Sequence, residues 1–352
     1  MNAAVYTGRG QIEVQRLPVP VIGPGELLVR VEACGICHTD LKKVEHDLLA
    51  PPRIYGHESA GVVVAAGDGV TRYKPGDRVV AFHHIPCRDC FYCHRKLYAQ
   101  CPVYRKVGIT AGFEPAGGGF SQYIRVMDWI VRDGVETIPD GVPFEVASFV
   151  EPVNTCLKAV VAMDPRPEDT VLVQGQGPIG LIFTMLIRRI GARVVATDTI
   201  PERRALARSL GAEAAVDPRT TDVAALLRSM TASRGADQVF VAASARGIVE
   251  EALNASRPGA RILLFAQTSD TERIELSGAG ICKDERVLMG VYSASVDLQA
   301  ESARLVFSRD LPVDRLISHS LPLDRILDGI NMALHPDGKS LKIMVQPQRL
   351  SE

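Results

Sequence analysis

Four of the chain's eight cysteines lie in one short stretch, CRDCFYCHRKLYAQC, at Cys87, Cys90, Cys93 and Cys101. Such short spacings let four thiolates close around one tetrahedral metal ion and leave no coordination position open. A closed zinc site of this kind stabilises structure and does not activate a substrate. Iron–sulfur ligation is the main alternative. A disulfide framework is the weaker interpretation, because the thiols of a cytosolic protein are kept reduced.

A second group of metal-ligating residue types is divided between two motifs, CGICHTD and GHESAG, which contain Cys37, His57 and Glu58. A cysteine, a histidine and a carboxylate leave a fourth position open, as a catalytic zinc requires. CGICHTD also contains a C-x-x-C pair, but it ends a strand in a β-rich region instead of opening a helix in a βαβ unit, so a thioredoxin-like role is disfavoured. Considered without Cys37 and Glu58, His57 would be interpreted as a buried structural histidine and not as a metal ligand.

A glycine-rich loop, GQGPIG, matches the pattern G-x-G-x-x-G and lies between the predicted strand TVLVQ and a predicted helix. Gly175 permits a tight turn, Gly177 allows a pyrophosphate to approach the backbone, and Gly180 allows close packing of helix on strand. Pro178 and Ile179 open the helix, whose N-terminal N–H groups favour anions. The alternative is a glycine turn in an α/β domain without nucleotide, but the flanking strand and helix favour dinucleotide binding.

The next predicted strand, ARVVATD, ends at Asp198. A carboxylate at this place accepts hydrogen bonds from the adenosine ribose hydroxyls and repels a 2′-phosphate, so it favours NAD over NADP. Arg203, five residues later, is a candidate to lie over the adenine or to offset part of that preference.

Two styles of sequence position these groups. Up to residue 151, short β-branched runs such as ELLVRVEA and SAGVVVAAG alternate with glycine- and proline-rich turns, which predicts an antiparallel β-rich domain. From 152 to 292, apolar strands alternate with amphipathic helices, which predicts a doubly wound parallel α/β sheet. Residues 293–352 contain two more predicted helices and a last strand, SLKIMVQP, which we expect to return the chain to the first domain.

The composition is that of a globular protein of two domains, with 352 residues, 46% hydrophobic and 23% charged. The formal net charge of −1 predicts neither nucleic acid nor an anionic membrane as a partner. The start, MNAAVYTGRGQIEV, lacks the pattern of a signal peptide, and the apolar run GPIGLIFTMLI ends well short of a membrane span. We therefore expect a cytoplasmic protein.

The order of these motifs resembles that of the zinc-dependent medium-chain alcohol and polyol dehydrogenases. CGICHTD, GHESAGVV, KPGDRV, the cysteine stretch, GGGFSQYIRV, the dipeptide EP and GQGPIG all occur in that order. The resemblance covers essentially the whole chain and is closest to the sorbitol and threonine dehydrogenase branch. It implies a Rossmann domain with a GroES-like catalytic domain, two zinc ions per chain, NAD, and a homodimer or homotetramer. The implied reaction is oxidation of a small secondary alcohol or polyol to the ketone, with L-threonine 3-dehydrogenase-like activity as the alternative.

The same resemblance implies roles for individual residues. Cys37, His57 and Glu58 would hold the catalytic zinc, and Glu151 would be an acid close to it, which is a direct ligand in some relatives. Cys156 lies one residue away from the position where some relatives have a cysteine ligand, and one step turns a helix by about 100°.

The resemblance also implies a proton relay. Thr39 matches the hydroxyl that relatives use to pass a proton from substrate toward the cofactor ribose; its alternative role is a helix cap. Lys42 stands where relatives often have a relay histidine. This departure leaves the later proton step open.

Overall fold

The computed structural model describes residues 1–104, 106, 108–113, 117–266 and 273–351. It separates into two compact units. One unit contains Met1–Asn154 and Ala294–Glu352, and the other contains Thr155–Ser293. The sequence predicts the corresponding boundaries after residues 151 and 292.

The strands, in chain order, are β1 (Asn2–Gly8), β2 (Gln11–Arg16), β3 (Leu27–Gly35), β4 (Glu58–Ala66), β5 (Arg78–Ala81), β6 (Ile109–Thr110), β7 (Tyr123–Val126), β8 (Val135–Thr137), β9 (Thr170–Gln174), β10 (Arg193–Thr197), β11 (Ala214–Val216), β12 (Ala236–Val241), β13 (Ser256–Leu264), β14 (Val287–Gly290), β15 (Ile317–Pro322) and β16 (Lys342–Gln346).

The α-helices are α1 (His38–Glu45), α2 (Asp128–Asp133), α3 (Phe144–Ala147), α4 (Val150–Met163), α5 (Pro178–Ile190), α6 (Pro201–Ser209), α7 (Val223–Met230), α8 (Ile248–Ala255), α9 (Gly278–Cys282), α10 (Gln299–Phe307) and α11 (Ile326–Leu334). Short 3₁₀-helices lie at Cys93–Arg95, Tyr98–Gln100, Val296–Leu298, Val313–Leu316 and Leu323–Arg325.

The first unit is built on an eight-stranded sheet whose main path is β15-β16-β3-β4-β5-β8, with β7 pairing with β3 and β6. Its pairs are antiparallel except for β15 with β16. Along β3, the inward residues Leu27, Val29 and Val31 are buried and alternate with partly exposed ones, so one face of the strand packs on the core. This is the β-rich domain that the alternating runs predict.

The second unit contains a six-stranded sheet in the order β11-β10-β9-β12-β13-β14, and all of its pairs are parallel. All five residues of β9 are buried, as expected for a central strand covered by helices on both faces. α5 and α6 each begin with a proline, at Pro178 and Pro201, where the missing N–H is not needed. The prediction of a Rossmann sheet with a GroES-like β domain is confirmed.

The segment Phe144–Met163 is long and apolar enough, by length and composition, to cross a membrane. However, 67% of its most apolar window is buried inside the protein, as in core helices of soluble proteins.

Candidate active site and metal centres

The register of two strands brings Cys37 and His57 to one edge of the sheet. β3 and β4 are antiparallel, and Gly35 at the end of β3 lies opposite Glu58 at the start of β4. Cys37 follows two residues after Gly35, and His57 directly precedes Glu58. Cys37 is also the N-cap of α1, so the chain turns sharply at this point and holds the thiol at the strand end.

Cys37, His57 and Glu58 form a cluster whose potential ligand atoms all lie within 4.8 Å of one another. The His57 and Glu58 side chains are buried, and Cys37 is half-buried. A thiolate, an imidazole and a carboxylate are the donors that Zn²⁺ accepts, and three of them leave one tetrahedral position for a substrate. The donor set therefore fits a catalytic zinc.

Asp40 orients the imidazole of His57. His57 Nδ1 lies 3.3 Å from Asp40 Oδ1, and Asp40 is fully buried. With Nδ1 engaged, Nε2 is the nitrogen left for a metal, which is the usual arrangement of a carboxylate behind a ligating histidine. Burial lowers the pKa of His57, but the charges and hydrogen bonds of Asp40 and Cys37 outweigh burial and raise this pKa well above its usual value. This role of Asp40 was not predicted from the sequence, where its only local signal was an acid three residues after Cys37.

Glu151, the second residue of α4, also lies close to His57. His57, His83 and Glu151 form another cluster with potential ligand atoms within 4.8 Å of one another. Burial, with Glu58 adding to it, raises the pKa of Glu151 to about 7, against the opposing effect of His57. Glu151 is therefore close to His57, as the resemblance implies, but it lies outside the cluster that contains Cys37.

Cys156 belongs to the second unit, where its buried thiol lies 4.0 Å from the carbonyl oxygen of Ile179. It belongs to none of the metal-ligating clusters found among the described residues.

Thr39 and Lys42 both lie in α1. Because Cys37 is the N-cap and Thr39 is the second helical residue, the interpretation of Thr39 as the cap is wrong. Within the described residues, the Thr39 hydroxyl has no hydrogen-bond partner in the chain. Lys42 follows three residues later, on the same face of the helix.

The four cysteines of the lobe, residues 87–101, also meet. Their sulfur atoms lie within 4.8 Å of one another, with nearest separations of 3.6 Å for Cys90–Cys93 and for Cys87–Cys101. These distances are far too long for disulfides. They match the edge of a tetrahedron of thiolates around one ion at about 2.3 Å, which is roughly 3.8 Å.

The lobe also supplies hydrogen bonds to its thiolates. Burial opposes ionisation of Cys101, but the backbone N–H groups of Cys87 and Tyr104 hold the pKa of this thiol at about 6. A multi-iron cluster would hold the sulfurs farther apart, so the geometry favours a single metal ion.

The glycine loop has the local geometry that its sequence predicts. Gly175 has φ +87°, in the left-handed region that favours glycine. A Cβ on Gly180 would clash with the Gly175 carbonyl oxygen, whereas a Cβ on Gly177 would meet only the guanidinium of Arg203, at 3.9 Å. Gly177 is the N-cap of α5, with Pro178 and Ile179 in its first turn. The loop therefore leaves its backbone open at Gly177, beside a cationic side chain.

Asp198 fixes this loop. Its Oδ2 accepts a hydrogen bond from Gln176 N (2.7 Å), and its Oδ1 accepts one from Ile200 N (2.8 Å). Each carboxylate oxygen has a second acceptor site, so the side chain retains the capacity to bind ribose hydroxyls.

Comparison with known proteins agrees with this geometry. Residues 23–136 match the model of the alcohol dehydrogenase GroES-like domain, and residues 178–307 match the zinc-binding dehydrogenase model. The L-threonine 3-dehydrogenase of Symbiobacterium thermophilum is 31% identical, with 95% of this chain and 94% of that protein covered. The sorbitol dehydrogenase of Bacillus subtilis is 29% identical, with 99% and 98% covered.

A solved candidate zinc-binding dehydrogenase from Sinorhizobium meliloti 1021, bound to NADP, superposes with a TM-score of 0.88 at 29% identity and covers 98% of this chain and 99% of its own. The chain belongs to the zinc-binding alcohol dehydrogenase family of medium-chain dehydrogenases. The resemblance drawn from the motifs is therefore confirmed, and with it the class, a zinc- and nicotinamide-dependent oxidoreductase of CH–OH groups.

Proposed function

We propose that this protein oxidises a secondary alcohol or polyol to the ketone, with NAD as the hydride acceptor. The observation that carries the proposal is the cluster of Cys37, His57 and Glu58, whose ligand atoms lie within 4.8 Å of one another and form an open donor set. The relatives of the chain include a sorbitol dehydrogenase and an L-threonine 3-dehydrogenase.

The catalytic zinc would be held by the Cys37 thiolate, His57 Nε2 and the Glu58 carboxylate, with Glu151 as a nearby acid. When bound, zinc supplies Lewis acidity that makes the substrate hydroxyl easier to deprotonate. Asp40 holds the His57 ring in one orientation through the 3.3 Å contact to Nδ1, and so keeps Nε2 available.

The Thr39 hydroxyl would accept the substrate proton. Thr39 lies in α1, two residues after Cys37. Its hydroxyl makes no hydrogen bond to any of the described residues. Lys42, one helical turn on, would carry the later part of the relay in place of a histidine. General acid–base assistance of this kind contributes about 10² to 10⁴-fold to the rate.

The dinucleotide would bind at the loop of Gly175, Gly177, Pro178, Ile179 and Gly180, with the pyrophosphate over the open backbone at Gly177. Asp198 would bind the adenosine ribose and favour NAD. Arg203 lies beside Gly177, so its charge supports binding of the phosphates in either cofactor.

The lobe cysteines Cys87, Cys90, Cys93 and Cys101 would hold a second, structural zinc. Four sulfurs complete its coordination, so this ion would have no position for substrate.

The wider organisation follows from the same family membership. We propose a catalytic domain over 1–151, joined again by 293–352, and an NAD-binding domain over 152–292. We also propose a cytoplasmic homodimer or homotetramer, which light scattering on the purified protein would measure.

The second candidate is oxidation of an amino alcohol such as L-threonine, favoured by the 31% identical threonine dehydrogenase. A panel of sugar alcohols, diols, simple secondary alcohols and L-threonine, read as NADH absorbance with zinc-loaded enzyme, separates the two. Highest kcat/KM for a polyol or diol supports the first proposal, and highest kcat/KM for L-threonine replaces it with the second. No oxidation of any of them would overturn both.

A further inference from the structure

His83 borders the candidate active site and was not singled out by its sequence context. It follows β5 and precedes the lobe, and one of its ring nitrogens lies within 4.8 Å of ligand atoms of both His57 and Glu151. Its ring centroid is 4.8 Å from that of His57. The residue is half-buried.

The Nδ1 atom of His83 is nevertheless buried and has no hydrogen-bond partner within the described part of the chain. A buried polar atom without a partner is destabilising, and such atoms are uncommon in native proteins. A polar group of a bound ligand would therefore supply the hydrogen-bond partner that Nδ1 of His83 lacks within the described residues.

The zinc centre does not need His83. Cys37, His57 and Glu58 already supply three ligands without it, and His83 is not a member of that cluster. A catalytic zinc keeps its fourth position for substrate. His83 is thus beside His57 and Glu151, at the margin of the position where the reacting hydroxyl would bind.

We propose that His83 is a specificity-determining residue that hydrogen-bonds a second polar group of the substrate, on the carbon next to the reacting carbinol. The inference rests on the proposed function and narrows it to vicinal diols and polyols. A hydrogen bond spans about 2.8–3.0 Å, so an atom bound to His83 lies only a few ångströms from the reacting hydroxyl. Two hydroxyls on adjacent carbon atoms lie at about that separation.

A site built to bind a substrate hydroxyl discriminates strongly against the analogue that lacks it. Butane-2,3-diol and butan-2-ol are a matched pair, because they share a carbon skeleton and differ by the hydroxyl assigned to His83. The ratio of their kcat/KM values therefore isolates this contact from general effects on catalysis.

The test compares wild type, His83→Phe and His83→Gln, each loaded with zinc and checked for zinc content and circular dichroism. His83→Phe should lower kcat/KM for the diol by about tenfold or more and leave butan-2-ol within about twofold. His83→Gln retains a hydrogen-bonding group and should recover part of the diol activity. A readout without turnover is the rise in unfolding temperature on adding diol to the NADH complex, which should be lost in His83→Phe.

Two results would overturn the inference while leaving the proposed function intact. One is an equal fall in kcat/KM for both alcohols in His83→Phe. The other is loss of the catalytic zinc from that variant, which would make His83 a metal ligand. Wild-type enzyme that oxidises none of the panel alcohols would instead overturn the proposed function, and this inference with it.

Discussion

Lys342 forms a buried ion pair with Glu58, the residue that follows His57 in the chain. Both side chains are almost inaccessible, with relative exposures of 6% for Lys342 and 1% for Glu58. The ammonium also donates a hydrogen bond to the carbonyl oxygen of Ile36, at 3.1 Å. Gly35 makes this arrangement possible, because a Cβ there would clash with the Glu58 carboxylate. Glu58 therefore has a protein cation beside it as well as its proposed metal.

We expect Lys342→Met to destabilise the metal-free protein more than the zinc-loaded protein. Removing one partner of a buried pair leaves an uncompensated charge and typically costs about 3–5 kcal/mol. Bound zinc would compensate Glu58 and reduce that cost. Urea unfolding with and without a chelator measures both values. Lys339→Met, at an exposed site on the preceding loop, is the control. Equal losses of stability in the two forms would show that Glu58 does not contact the metal.

Cys93→Ser should reduce the zinc content from two ions per chain to one and lower the unfolding temperature. Cys93 is buried in the lobe with Ala99, Cys101 and Tyr104, so the metal and this small core stabilise each other. Turnover per zinc-loaded catalytic centre should change little. The matched control is Cys282→Ser, since Cys282 is exposed and belongs to neither cysteine cluster. Stable, fully folded Cys93→Ser without turnover would mean that the lobe takes part in catalysis.

The ion pair of Glu26 with Arg125 predicts a pH-dependent contribution to stability. Burial opposes ionisation of Glu26, but Arg125 and the Gly23 N–H hold its pKa below the usual value. A lowered folded-state pKa gives stability that is present above the unfolded pKa of about 4.3 and is lost as the pH falls through the folded value.

Glu26→Gln should therefore be less stable than wild type at pH 7, and the difference should shrink below about pH 4. Urea unfolding of the chelated protein across pH measures it. Glu13→Gln, on the exposed side of β2, is the control. A difference independent of pH would contradict the assignment.

The parts of the fold that were predicted correctly are those whose secondary structure is indicated by their own residue pattern. β9, α5 and β10 are a buried apolar strand, an amphipathic helix and another strand, separated by glycine turns. β15 was missed, because ISHSLP has little apolar character and forms a strand through its parallel pairing with β16.

The same distinction applies to the candidate site. Cys37, His57 and the glycine loop stand in recognisable motifs. Lys342 does not, because it lies in an apolar strand far along the chain and becomes a site residue only when β16 pairs with β3. His83 likewise can be recognised as a site residue only from its neighbours in space, His57 and Glu151.

Asp198→Ala should shift cofactor use from NAD toward NADP. The change removes a charged hydrogen-bond acceptor, worth about 1.5–3 kcal/mol or roughly 10- to 150-fold in affinity, and it removes the repulsion of a 2′-phosphate. Asp198 also accepts hydrogen bonds from Gln176 N and Ile200 N, so its replacement can disorder the glycine loop. That effect must be separated from the effect of removing the negative charge. Asp198→Asn keeps an acceptor and serves as that control. Wild type that already prefers NADP would refute this interpretation of Asp198.

Thr39→Val should lower kcat while leaving zinc content and NAD affinity nearly unchanged. Valine keeps the side-chain volume and removes the hydroxyl that we propose receives the substrate proton. Thr39 is not the cap of α1, so the helix loses no capping bond and a fall in activity would not reflect unfolding. The expected loss is about 10² to 10⁴-fold, and Thr39→Ser should restore most of it.

Lys42→Ala provides the comparison that locates the relay. Lys42 lies one turn farther along α1, where solvent can substitute for it, so its loss should reduce kcat less than Thr39→Val does. The pH profiles of kcat should separate the two: a relay residue changes the acidic limb, whereas a residue that only supports the helix lowers the whole profile. If Thr39→Val is nearly fully active across pH and Lys42→Ala is inactive, the proton does not leave through Thr39. The route would then begin at Lys42 itself.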